Sequence, residues 1–128
     1  MSLTVLGLSG ALTHDPSAAI YVDGKLIAAA EEERFIRDKH AKNLMPYEAA
    51  KFCMEYANVK PSDIDVVAFP YAKISLFSPA RWQFAKRYWY APERSIDAIF
   101  NGNRHYRRNV KKVRELLGRL SIDWNDIE

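Results

Sequence analysis

Ala18-Ala19-Ile20-Tyr21-Val22-Asp23-Gly24-Lys25-Leu26-Ile27-Ala28-Ala29-Ala30 is the stretch whose reading decides the fold. Two short apolar runs flank Asp23-Gly24, a dipeptide that accepts positive φ at both central positions of a tight hairpin turn. Upstream, Thr4-Val5-Leu6-Gly7-Leu8 is a β-rich run that ends at Ser9-Gly10. Residues 4–31 therefore read as a three-stranded antiparallel meander. Downstream, Pro46 opens a helix at its first position, where a missing N–H costs nothing. Ala49, Phe52, Cys53, Tyr56 and Ala57 then recur at helical spacing, which makes Cys53 a buried small hydrophobe. Lys60-Pro61-Ser62-Asp63 is a turn, and Ile64–Phe69 is a buried-type strand stopped by Pro70. Helices are expected near 80–90, 93–100 and 104–119. The last one places Val110, Val113, Leu116, Leu117 and Leu120 on one face and Arg107, Arg108, Lys111, Lys112 and Arg114 on the other. Asp123–Glu128 has the look of the approach to another strand.

Composition narrows the class. The chain has 128 residues, 48% of them apolar and 27% charged, a globular profile that excludes disorder as the main state. No apolar run reaches the ~18 residues of a membrane helix, and Met1-Ser2-Leu3-Thr4 lacks the charge of a secretory signal. A single cysteine excludes an internal disulfide framework, and with His14, His40 and His105 scattered, a Cys-rich zinc site is excluded too. These features point to the reducing cytoplasm. The net charge of +3 is unevenly spread: residues 1–80 carry a net −2 and residues 81–119 a net +8. That basic block, rich in interleaved aromatics, invites a nucleic-acid reading. Most of its aromatics fall where helices must pack, so nucleic acid is not expected as a partner. A basic face against an anionic partner is the alternative it leaves open.

Two stretches could carry chemistry. In Gly7-Leu8-Ser9-Gly10-Ala11-Leu12-Thr13-His14-Asp15-Pro16-Ser17-Ala18-Ala19, Ser9 and Gly10 let backbone approach a ligand closely. His14 could take a proton from an attacking hydroxyl, with Asp15 orienting it or capping the turn. In Glu31-Glu32-Glu33-Arg34-Phe35-Ile36-Arg37-Asp38-Lys39-His40, Glu32 or Arg34 could point into a cleft at the strand end. Lys39 and His40 could bind a phosphate or carbonyl oxygen. Taken singly, the first stretch is also explained as a plain strand connection, and the second as a solvated charged loop.

Together, in order and at this separation, the two stretches closely resemble the start of the O-carbamoyltransferase family of nodulation-factor and antibiotic biosynthesis. The resemblance is tight over residues 4–40 and looser through Pro46, the helix after it and Pro61–Val67. It implies an α/β fold: the N-terminal part of an actin-like, sugar-kinase-like (ribonuclease H-like) lobe, with meander, helix, parallel strand and helices. It implies transfer of a carbamoyl group from carbamoyl-adenylate, made from carbamoyl phosphate and ATP by a further domain, to a hydroxyl of a small-molecule acceptor. By position, His14 matches the family's loop histidine, and Lys39 and His40 its basic pair. Arg34 matches its E-E-R-F arginine. The resemblance also implies iron, on ligands that include a His-x-x-x-His pair absent from these residues, so no metal or cofactor is expected on this chain. Asp38 and Met45 depart from the family pattern.

The expectation is thus residues 1–128 as a partial lobe of the transfer domain, inactive alone, with catalytic residues His14 and Lys39. Ser9, Gly10, Asp15, Arg34 and His40 are expected to bind substrate. Its partners are expected to be the acceptor, the rest of the enzyme and a second copy paired along an exposed sheet edge. The rival is a non-catalytic module holding an anionic partner on the 81–119 face. A kinase-like phosphate loop fits poorly, because such loops carry Asp-x-Gly where this chain carries Ser9-Gly10.

Overall fold

A computed structural model describes residues 2–10, 14–71, 73 and 75–123. Its elements are, in order, β1 (Thr4–Ser9), β2 (Ser17–Val22), β3 (Lys25–Glu31), α1 (Glu33–Ile36), α2 (Tyr47–Tyr56), β4 (Val66–Ala68), α3 (Pro79–Arg87), α4 (Pro92–Phe100) and α5 (Arg104–Arg119). The chain divides into two compact units, one of residues 1–70 with 110–128 and one of residues 71–109.

The first unit is an α/β layer built on a four-stranded mixed sheet of order β3-β2-β1-β4. β1 pairs antiparallel with β2, β2 antiparallel with β3, and β1 parallel with β4. Asp23 (φ 52°) and Gly24 (φ 76°) make the expected hairpin turn, both with positive φ. Alternation along β1 and β2 sends Leu6, Leu8, Ala18 and Ile20 into the core. There they meet Ala49, Ala50, Cys53 and Met54 of α2, and Val113, Leu116, Leu117, Leu120 and Ile122 from α5 and its exit.

Three local expectations need correction. The strand foreseen at 64–69 is only Val66–Ala68. Ile64 instead leaves the 3-10 turn Pro61–Asp63 and is itself buried, so it packs before the ladder begins. α2 starts at Tyr47, with Pro46 fully buried at the cap position. Its buried stripe is Ala49, Ala50, Cys53 and Met54, while Phe52 and Tyr56 remain exposed. Small residues let the helix approach the sheet closely, and the two aromatics turn outward, where Phe52 packs on Phe35. The foreseen approach to a further strand at 123–128 falls almost wholly outside the described residues.

Cys53 is buried as expected, its Sγ 3.5 Å from the carbonyl oxygen of Ala18. Burial pushes its thiol above the ordinary range, so the thiolate is disfavoured. Iodoacetamide should therefore leave Cys53 unmodified in the native chain and alkylate it in step with urea unfolding. Fast labelling without denaturant would contradict this packing.

The second unit is a helical hairpin. α3 and α4 each begin on a proline, and the two helices pack together. The Ser95 hydroxyl lies 3.0 Å from the carbonyl oxygen of Ala85 and 2.9 Å from that of Tyr88. Arg81 is buried and donates to the carbonyl oxygen of Ile99 at 2.6 Å.

Among the described residues, no helix is long and apolar enough to cross a membrane.

Candidate functional site

The loop after β1 and the loop after α1 meet beside the end of the sheet. Gly10 is the close-approach point. Its φ is +123°, and a Cβ there would stand 2.6 Å from Cβ of Pro16 and 3.2 Å from the carbonyl oxygen of Leu44. Only glycine takes this backbone and this gap together. Gly10→Ala should cost about 1–2 kcal/mol of stability, read as a lower urea midpoint. An unchanged midpoint would mean that the two loops separate without penalty.

The second loop runs through residues in the left-handed region: Arg37 (φ 56°), His40 (φ 68°), Ala41 (φ 37°) and Asn43 (φ 61°). Asp15 in the first loop shares that conformation, with φ 58°. A cluster of such residues is uncommon away from functional sites. They are held by hydrogen bonds: the Asp15 N–H donates to the His40 carbonyl oxygen at 2.8 Å, and the His40 N–H donates to Glu33 Oε2 at 3.1 Å.

This clamp brings three side chains together. Asp15 Oδ1 is 2.9 Å from Nδ1 of His40, and Asp15 Oδ2 is hydrogen-bonded to Nδ1 of His14. The two imidazoles stand edge to face with centroids 5.9 Å apart. Hydrogen bonds from His40 and then His14 hold the Asp15 carboxyl below its usual range. An ionised Asp15 has an oxygen within hydrogen-bonding reach of Nδ1 of each ring. The three side chains are 65% (His14), 44% (Asp15) and 46% (His40) exposed, so they can meet a ligand.

Ser9 and Arg34 line a cleft of about 990 Å3, over Gly7, Ala19 and Ala29, and His14, Asp15 and His40 are not among its lining residues. Arg34 Nε is 3.4 Å from Glu31 Oε2. Lys39 is exposed in the turn next to His40 and is not among the residues lining that cleft. The structure thus joins His14, Asp15 and His40 in one group and Ser9 with Arg34 in another, while Gly10 packs the loops.

Glu32 is the residue the sequence reading undervalued. It is only 3% exposed, and it points at the start of α2 rather than into an open cleft. Its carboxylate accepts the N–H groups of Glu48 at 3.1 Å and Ala49 at 2.8 Å. Its own N–H donates to the Pro16 carbonyl oxygen at 2.9 Å, tying the His14–Asp15 loop to the helix. Part of the basic face of α5 also has structural work. Lys112 Nζ donates to the Asn43 carbonyl oxygen at 2.8 Å, and the Arg119 guanidinium lies 3.9 Å over the Tyr47 ring.

A four-stranded mixed sheet with helices, a histidine–carboxylate group in its loops and an arginine-lined cleft together make this an α/β domain. The chain belongs to the carbamoyltransferase N-terminus family, whose model matches residues 4–124. It is 45% identical over 64 residues to the nodulation protein NolNO of Sinorhizobium fredii, half of this chain and 9% of that protein. It is 37% identical over 65 residues to the uncharacterized protein sll1178 of Synechocystis, covering 51% of this chain and 10% of that one. An uncharacterized 19.2 kDa protein from Rhizobium etli is 38% identical over 78 residues, half of this chain and 45% of that one. The matched stretch is thus about a tenth of the length of the first two relatives.

Proposed function

We propose that this chain supplies the acceptor side of an O-carbamoyltransferase, as part of an actin-like, ribonuclease H-like lobe of a longer cytoplasmic enzyme. The observation that carries the reading is the Asp15 carboxylate shared by His14 and His40, in a unit whose cleft is lined by Ser9 and Arg34. A histidine whose Nδ1–H is held by a carboxylate offers its Nε2 as a general base. His14 takes the proton of the acceptor hydroxyl as that oxygen attacks the carbamoyl carbon of carbamoyl-adenylate. The new carbon–oxygen bond forms, the bond from the carbamoyl carbon to the phosphate oxygen breaks, and AMP leaves with the electron pair. Asp15 fixes the ring and stabilises the imidazolium, and His40 holds Asp15 from behind. Arg34 and Lys39 stabilise oxyanion and phosphate charge as it develops.

Carbamoyl-adenylate would come from carbamoyl phosphate and ATP elsewhere in the longer protein, so the 128-residue chain alone is inactive in this reading. The family resemblance puts iron on ligands outside these residues, and the steps above rest on the chain's own side chains. The test is transfer of label from carbamoyl phosphate, with ATP, to a panel of sugar, aminocyclitol and macrocycle hydroxyls by the longer protein. A carbamate ester on one of them is expected. ATP consumption with no carbamoylated hydroxyl anywhere in the panel would remove the reading.

A further inference from the structure

We propose that His14, Asp15 and His40 form a site for one divalent transition-metal ion. Each residue offers one ligand atom, and these atoms lie within 4.8 Å of one another. Ligands around a tetrahedral zinc ion stand about 3.3 Å apart, given zinc–nitrogen bonds of about 2.0 Å. The Asp15–His40 pair is already at 2.9 Å, and the exposed rings need only small torsional changes to close on a common point.

The present arrangement places two imidazole Nδ1–H groups on one carboxylate. A single dication satisfies the same geometry once both rings move their proton to Nε2. Two imidazoles and a carboxylate select borderline ions such as zinc or iron(II) over magnesium or calcium, which favour sites made of oxygen ligands. The backbone is prepared for it, since Asp15 and His40 are locked together by their 2.8 Å main-chain bond before any ion arrives. Three protein ligands leave at least one position open.

Binding does not depend on the transfer reading, but it bears on it. With the metal on Nδ1, Nε2 of His14 carries the proton and the ring cannot act as a base. Free and metal-loaded forms would therefore differ in chemistry.

The experiment titrates the chelator-stripped 128-residue chain with Zn2+ against a chromophoric chelator. A parallel Co2+ titration is followed by visible absorption. One Zn2+ per chain is expected, with Co2+ bands reporting nitrogen and oxygen ligands. Asp15→Asn and His40→Gln should each weaken binding at least about tenfold, as much as losing an outer-shell partner does. His105→Gln, on exposed α5 surface, should leave binding unchanged. Circular dichroism checks that each variant is folded, and His14→Gln, at the most exposed of the three ligands, carries the test if another variant is not. The proposal is overturned by the lack of a saturable Zn2+ site. Binding unchanged in the cluster variants, or displacement by millimolar Mg2+, overturns it equally.

Discussion

His14→Asn in the longer enzyme should lower carbamoyl transfer about 10²–10⁴-fold, the range that a positioned general base supplies. ATP consumption with carbamoyl phosphate should stay at the wild-type level, because the proposed function assigns that half-reaction to another part of the longer protein. Asparagine can still place a polar atom near Asp15, so the loop keeps much of its hydrogen bonding. What it lacks is the basic Nε2. The imidazole is 65% exposed, and substitutions at such positions shift stability by within about 0.5 kcal/mol, so misfolding would not account for the loss. Measuring AMP release and product formation on the same sample separates the two steps. Equal transfer rates in wild type and variant would remove His14 from the chemistry and leave its bond to Asp15 as a loop contact. Loss of both activities together would point to a damaged fold instead.

The hairpin and the meander were legible because their determinants are local. Asp23-Gly24 sets the turn, and alternation in β1 and β2 sets the face, with no reference to distant residues. The α5 stripe was legible for the same reason, from Val113 to Leu120. α2 was read one step off, because periodicity counts Phe52 and Tyr56 as apolar. The sheet instead accepts the closer approach that Ala49, Ala50 and Cys53 allow. In the site, His14 and Asp15 are sequence neighbours, so their pairing could be read directly. The bond from Asp15 to His40 spans 25 positions and depends on the main-chain contact between the two loops. No local pattern encodes it. Three adjacent glutamates hid the most consequential case, since nothing in Glu31-Glu32-Glu33 says which carboxylate meets a helix start 16 residues later.

That carboxylate is the basis of the largest stability effect expected here. Glu32→Ala should destabilise the chain by about 2–4 kcal/mol, because it removes the acceptor of the buried Ala49 N–H and of the half-buried Glu48 N–H. Pro46, at the cap position before Tyr47, makes no side-chain cap, so the first N–H groups of α2 look to another part of the chain. Glu32 reaches Glu48 and Ala49, and its negative charge lies at the positive end of the helix dipole. Ala49 is fully buried, so water cannot take over the lost bond without entering the core. Glu32→Gln should cost less, about 1 kcal/mol, since its amide oxygen still accepts one N–H. Urea unfolding of both variants, with unchanged slope, gives the two values. Native-state amide exchange then locates the damage. The Ala49 and Glu48 amides should lose protection first, while the main-chain bond from the Glu32 N–H to Pro16 survives both substitutions. A Glu32→Ala chain within 0.5 kcal/mol of wild type would mean that α2 finds another cap.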